Sequence, residues 1–245
     1  MKFNVMKPWV VCHWWLVLLG SAMSFHATAI EISSMFMVAD ANGSGTFTIK
    51  NTQDKRIFMN VGMSELNVVD GAIVKTPYDR SNIQDWKIDV YPAKTIIDVG
   101  HEKQFKVTLK CGRDCDAEQD QLFQLAFVPT PYFDEGIRPK QAVQMAVGFG
   151  ALFLRAAKEK PIHYKADYRD GRVTINNTGE TYLKARVTNC AELALSTQEC
   201  TKMMNVMPGR QLTIDLPDNM RSKPFVDVYL DTYRDKYSES VRLLK

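Results

Sequence analysis

The alternation of apolar and polar positions is clearest in residues 142–155, AVQMAVGFGALFLR. Successive side chains of a strand point to opposite faces of a sheet, so residues of one parity form one row. The odd row carries large apolar side chains: Val143, Met145, Val147, Phe149 and Phe153. The even row is small or polar as far as Gly150. Two interpretations fit: an ordinary buried strand of a sandwich, or a strand with an apolar row that is lent to a partner protein.

Shorter runs with strand-like patterns recur along the chain. Before residue 142 we predict strands at 32–38, 45–50, 56–63, 86–91, 103–109 and 122–128; after residue 161 we predict them at 162–168, 172–176, 182–189, 211–216, 226–230 and 240–244. Turn residues separate the runs, and no segment of the first half keeps a helical apolar period over ten residues. The pattern therefore predicts an all-β protein of two Ig-like β-sandwiches joined by a short elbow.

The first 29 residues read as a secretory signal peptide, with two early lysines, an apolar run at 9–19 and the small residues Ala27-Thr28-Ala29 at its end. The run is shorter than the roughly 20 residues that span a bilayer, so we expect no stable membrane insertion. A retained membrane anchor is the alternative. Cleavage leaves Ile30 as the first residue.

The rest of the chain divides at the polar segment 156–161, AAKEKP. Removing 29 of the 245 residues leaves 216, which suits two domains of about 100 residues each. We therefore expect an N-terminal domain at 30–157, which contains the 142–155 run, and a C-terminal domain at 158–245.

The charge balance argues against a nucleic-acid partner. Lys2 and Lys7 are two of the 31 basic residues, so 29 remain after cleavage against 28 acidic ones, a net charge near +1. Nucleic-acid binding depends on clustered charge that neutralises phosphates.

Four cysteines remain after Cys12 is removed, in two close pairs: Cys111 with Cys115, and Cys190 with Cys200. In an oxidising compartment we expect each pair to form a local disulfide. Neither pair has a C-x-x-C step or a nearby histidine, so we expect no metal.

Catalytic chemistry is not expected. Only His101 and His163 remain after cleavage, and both fit surface positions. No nucleophile elbow, phosphate-binding glycine loop or His-Glu-x-x-His motif occurs. The carboxylates in 111–120, CGRDCDAEQD, predict a solvated loop, with calcium binding as the weaker alternative. We expect no enzyme activity and no cofactor.

In their order along the chain, several features resemble the periplasmic chaperones of the chaperone–usher pathway, with a PapD-like fold, in the alternate branch that serves CFA/I-type pili. The matching stretches are 35–38 with 45–51 (GTFTIKN), 86–100 (WKIDVYPAKTIIDVG), 123–129 (FQLAFVP), 173–179 (VTINNTG), and the loop from Cys190 to Cys200.

This resemblance implies a periplasmic protein with two partners, a pilin (fimbrial) subunit and an outer-membrane usher. The chaperone fills the open groove of the subunit with its own strand, and Val143, Met145, Val147 and Phe149 would be the inserted row. An exposed apolar strand is an aggregation hazard, so self-association is also expected. The competing interpretation is a secreted Ig-like adhesin or carbohydrate-binding module, with a platform of tyrosines in the second half.

One basic residue stands out against the family pattern. Family members hold the subunit's C-terminal carboxylate with basic side chains on the first strand and the donor strand. Here 32–38 has no basic residue and the donor strand has none before Arg155. The resemblance therefore makes Arg155 the candidate carboxylate anchor, with a solvated strand-end arginine as the alternative.

Overall fold

The computed structural model describes residues 30–110, 118–132, 147–158, 160–190 and 199–245. The predicted signal peptide, Cys111, Cys115, Val143 and Met145 lie outside these ranges. Within them, no helix is long and apolar enough to span a membrane, and no three His, Cys, Asp or Glu side chains cluster closely enough to hold a metal ion.

The first domain is a sandwich of two sheets. The first sheet has the order β1 (Ile30–Ile32), β3 (Ser44–Asn51), β8 (Glu102–Leu109) and β6 (Ile88–Tyr91). The second sheet has the order β2 (Phe36–Val38), β10 (Phe149–Arg155), β9 (Gln121–Pro131), β4 (Ile57–Val69) and β5 (Ala72–Pro77), and β7 (Lys94–Ile97) also pairs with β4. A short 3-10 helix, Arg80–Asp85, follows β5.

The second domain is a smaller sandwich. One sheet has the order β11 (Tyr164–Arg169), β12 (Arg172–Asn177) and β15 (Gln211–Asp215); the other has the order β14 (Thr201–Val206), β13 (Leu183–Thr188), β16 (Phe225–Asp231) and β17 (Ser238–Leu244). A four-residue helix, α1 (Asp218–Arg221), and a 3-10 turn, Tyr233–Asp235, complete it. The all-β, two-sandwich prediction is thus confirmed. The first sandwich ends with β10 at Arg155 and the second begins with β11 at Tyr164; the domain boundaries at 157 and 158 stay a prediction.

Each sandwich has its own apolar core. In the first, Phe127 contacts both Phe47 and Phe105, with ring centroids 5.7 and 5.3 Å apart. These rings are fully buried, as is Phe153 of β10. In the second, Tyr168, Ile175 and the strands β13 and β16 supply most of the buried side chains. Alternation along the strands, with one face inward, accounts for both cores.

The predicted strand at 32–38 is wrong as a single element, because the chain changes sheets in the middle of it. Between the two sheets, serine side chains form hydrogen bonds with backbone groups. Thr48 N donates to Ser33 Oγ at 3.0 Å, and Ser34 Oγ donates to the Phe36 carbonyl at 2.6 Å. As a result β1 pairs with β3, whereas β2 pairs with β10 in parallel.

A buried asparagine ends the second strand of the sheet order in each domain. Asn51 is the last residue of β3, and Asn177 is the last residue of β12. Each side-chain amide donates to two backbone carbonyls and each side-chain oxygen accepts from a backbone amide two residues later. The partners are Lys55, Ile97 and Gln53 for Asn51, and Thr181, Val206 and Gly179 for Asn177.

The disulfide between Cys190 and Cys200 is confirmed, with the two Cα atoms 5.1 Å apart. It closes the connection between β13 and β14. The Cys111–Cys115 disulfide falls outside the described residues and stays a prediction.

Candidate functional site: the edge of β10 and the cleft between the domains

β10 is only partly covered by its neighbours. β9 pairs with all of it in antiparallel register, from Phe149 opposite Phe127 to Arg155 opposite Gln121. β2 pairs with its last part alone, Leu152–Leu154 opposite Phe36–Val38. In the described part of the chain, therefore, residues 149–151 have no strand on the side away from β9. An unpaired edge of this kind offers backbone groups to another strand.

The odd row of β10 changes from exposed to buried along the strand. Val147 is 72% exposed, Phe149 is half-buried against the first core, and Ala151 and Phe153 are fully buried. The buried-strand interpretation thus holds for 151–155. It does not hold for Val147, which lies just before the strand begins. The assignment of Val143 and Met145 to a donor row stays a prediction.

Gly148 lies against the backbone of β9. A Cβ at this position would be 2.8 Å from the carbonyl oxygen of Phe127, a contact that requires the backbone to move. At Gly150 the corresponding contact, 2.7 Å, is with the end of the Gln124 side chain, which can rotate away. Glycine is therefore required by close approach at Gly148, as expected where backbones approach tightly.

The even row of β10 faces the second domain. Leu154 and Leu122 are buried there together with Tyr182 and Met207 from the second domain. We call this group the interdomain cluster; its half-buried members are Phe36, Val38, Leu66, Val68, Leu152 and Tyr233. The rings of Phe36 and Tyr182 are 5.7 Å apart. The face of the second sheet near the elbow is thus covered by the second domain.

Asp120 ties the two domains together beside this cluster. Its Oδ1 accepts from Ala157 N at 2.6 Å, and its Oδ2 accepts from Tyr182 N at 2.7 Å and from Thr181 Oγ1 at 3.2 Å. The prediction of a solvated loop at 111–120 is therefore wrong for Asp120, whereas Glu118 is exposed. The partners of Asp120 lie 37 to 62 residues away in sequence, so no local pattern could have identified them.

A groove of about 500 Å³ opens between the domains, lined by β4, residues 120–122, Met207 and Pro208. At its wall Lys87 Nζ is 2.6 Å from Glu65 Oε1, and the Tyr78 hydroxyl donates to Glu65 Oε2 at 3.2 Å. Burial raises the pKa of Tyr78 to about 12, so the hydroxyl stays protonated and continues to donate. The ion pair with the Glu65 carboxylate balances the charge of Lys87.

Arg155 ends β10 in a buried position. It is 7% exposed, and its Nη1 donates to Gln121 Oε1 at 3.2 Å. Arg155 belongs to the odd row of β10, like Phe153 on the core side. Leu154 belongs to the even row, which faces the second domain. Burial contradicts the alternative of a solvated strand-end arginine. The role of Arg155 as a carboxylate anchor stays a prediction.

With the fold and this edge described, comparison with known proteins identifies the family. Residues 32–154, half of the chain, match the CS5 fimbrial protein N-terminal domain. The chain belongs to the family of proteins that carry this domain. Comparison with curated protein sequences gives no match.

Solved structures share the architecture. The crystal structure of the class 5 fimbriae chaperone CfaA aligns with a TM-score of 0.53 at 13% identity, covering 89% of this chain and 100% of the other. The Salmonella enterica SafA pilin complex with the SafB chaperone gives 0.55 at 12% identity, covering 91% and 99%. The CsuC–CsuE complex of Acinetobacter baumannii gives 0.53 at 10%, covering 88% and 98%. These findings confirm the resemblance to chaperone–usher chaperones and the two-domain fold.

Proposed function

We propose that this protein is a periplasmic chaperone that binds fimbrial subunits by lending them a strand and delivers them to an outer-membrane usher. The observation that carries the proposal is the edge of β10 at 149–151, which has no strand beside it among the described residues, with Val147 exposed just before it. Family membership and the fold shared with fimbrial chaperones support the same role. Export by the predicted signal peptide would bring the protein to the compartment where subunits fold.

The proposed mechanism is β-augmentation. The backbone of the donor segment completes the open sheet of the subunit, and alternate side chains enter its groove. In the free protein Phe149 is already half-buried whereas Val147 is largely exposed, so of these two side chains Val147 gains most of the new burial. Fully burying each large apolar side chain of the donor row would contribute roughly 1.5 to 3 kcal/mol before ordering costs. Those costs leave the subunit releasable at the usher.

The free protein exposes this edge, so a second copy could cap it until a subunit arrives. Self-association would then compete with subunit capture.

Co-expression with a fimbrial subunit tests the proposal. We expect a subunit that is degraded or aggregated alone to be recovered in a 1:1 complex that co-elutes with this protein in size-exclusion chromatography. The adhesin or carbohydrate-binding alternative predicts retention on immobilised glycans and no rescue of the subunit; that pair of results would reject the proposal.

We further propose Arg155 as the group that binds the subunit's C-terminal carboxylate. Because Arg155 is buried and hydrogen-bonded, replacing it with alanine should also lower the melting temperature, unlike an exposed strand-end charge. Loss of capture alone would not then identify an anchor.

A double-mutant cycle separates the two effects. Capture is measured for a subunit with its natural C-terminus and for one extended by a few residues, each with the parent protein and with Arg155→Ala. An anchor predicts that the extension weakens capture by the parent about tenfold or more and has no further effect on the variant. Gln121→Ala, which removes a hydrogen-bond partner of Arg155 but no charge, is the matched control. Equal effects of the extension on parent and variant would show that Arg155 does not bind the carboxylate.

A further inference from the structure

We propose that Asp120 is a positioning residue: it fixes the second domain so that this domain holds β2 against β10. The inference concerns the free protein. Only its consequence, that the subunit-binding edge is kept in shape from the other domain, rests on the proposed function.

The contacts of Asp120 join three segments of the chain. Asp120 directly precedes β9, Ala157 follows β10 in the linker, and Thr181 and Tyr182 directly precede β13 in the second domain. Hydrogen bonds from amides and hydroxyls to a carboxylate are charge-assisted and stronger than neutral ones. One side chain thus sets where the second domain lies relative to the ends of both β9 and β10.

The segment that Asp120 binds is itself held firmly within the second domain. The carbonyl of Thr181 accepts from the buried Asn177 side chain at 2.9 Å, and Tyr182 is buried. The hydrogen bonds from Thr181 and Tyr182 to Asp120 therefore fix the position of the Tyr182 ring. The ring lies in the interdomain cluster, against Phe36 of β2.

β2 has little to hold it apart from these contacts. It is three residues long and, among the described strands, pairs only with β10. Met37 points into the first core, whereas Phe36 and Val38 lie in the interdomain cluster. A strand this short depends on side-chain contacts for its place. Two of its three side chains thus depend on the position of the second domain.

A second contact supports a fixed orientation. The turn between β4 and β5 reaches the second domain, where Gln211 N donates to the Gly71 carbonyl at 3.3 Å. Val68, near that turn, lies 3.6 Å from where a Cβ of Gly209 would be. This contact holds the domains together away from β2, so losing Asp120 should release β2 without separating the domains.

Amide hydrogen exchange on the full chain tests the inference. The reporters are Ala39 N, which donates to the Leu154 carbonyl, and Leu152 N, which donates to the Met35 carbonyl. In Asp120→Ala we expect exchange at both amides to rise about tenfold or more, while amides in the β3–β8 and β12–β15 pairs keep their rates. Asp120→Asn keeps one acceptor oxygen and should give an intermediate rise.

The matched control is Asp167→Ala, which removes an exposed carboxylate of the second domain and should leave both reporters unchanged. Unchanged exchange at Ala39 and Leu152 in Asp120→Ala, or an equal rise throughout both domains, would overturn the inference. The exchange experiment uses no subunit, so its result is independent of the proposed function. Failure of the parent protein to capture a subunit would reject that function and leave the positioning role standing.

Discussion

Replacing Asn177 with alanine is expected to lower the free energy of unfolding of the second domain by about 3 kcal/mol. The side chain is fully buried and makes three hydrogen bonds, to the carbonyls of Thr181 and Val206 and from the amide of Gly179. Alanine would leave these three backbone groups without that partner in the interior, where each unmade bond costs about 1 kcal/mol or more. The melting temperature should fall by about 10 °C or more.

Asn176→Ala is the matched control, because the neighbouring residue is of the same type but lies on the opposite, less buried face of β12. A change within about 0.5 kcal/mol is expected there. Thermal unfolding followed by circular dichroism measures both variants. Equal melting temperatures for Asn176→Ala and Asn177→Ala would show that the stability of the second domain does not depend on the Asn177 side chain.

Asn51 makes the equivalent bonds in the first domain, and the sequence carries a sign of this repeat. Residues 49–52 read IKNT and residues 175–178 read INNT. In both, a buried isoleucine and the asparagine share one parity at the end of a strand. Alternation of apolar and polar residues predicts strands but not the side chains that form hydrogen bonds at strand ends. That criterion therefore could not identify the repeated asparagine.

Alternation predicted the fold class because most strands have one face in a core. The alternation criterion failed for strands that bury few side chains. β5 was missed because its side chains are mostly exposed, and β14 and β7 were missed because each buries only one side chain, Val206 and Ile97 respectively. β4 extends to Val69, beyond its predicted end, because Leu66 and Val68 face the other domain.

The candidate site was predictable only in part, for the same reason. The odd row of 142–155 indicated an apolar face, but the sequence alone could not show where the row passes from exposed Val147 to buried Phe153. That boundary depends on how far β2 and the first core extend along β10. Asp120 and the interdomain cluster depend on contacts between distant segments, which no local pattern reports.

Replacing Val147 with aspartate is expected to abolish subunit capture while the free protein stays folded. The side chain is largely exposed, so the carboxylate remains solvated in the free protein and stability should change by no more than about 0.5 kcal/mol. In an apolar subunit groove the same carboxylate would be desolvated without a partner. The affinity for the subunit should then fall at least about a hundredfold.

Two variants control for other effects of the new charge. Val74→Asp places a carboxylate at another exposed valine, on β5 at the opposite edge of the same sheet, and should leave capture unchanged. Phe153→Ala changes the buried end of the odd row. It should destabilise the first domain by about 3 to 5 kcal/mol and so show what damage to the fold looks like in the same assay.

The most direct measurement of the account is therefore made on Val147→Asp: its melting temperature when free, beside its co-elution with a fimbrial subunit. The account predicts a melting temperature close to that of the parent protein and no co-eluting subunit. Two results would contradict the proposal that this strand is donated to a subunit. One is a Val147→Asp protein that captures the subunit as well as the parent does; the other is a free Val147→Asp protein whose melting temperature falls as far as that of Phe153→Ala.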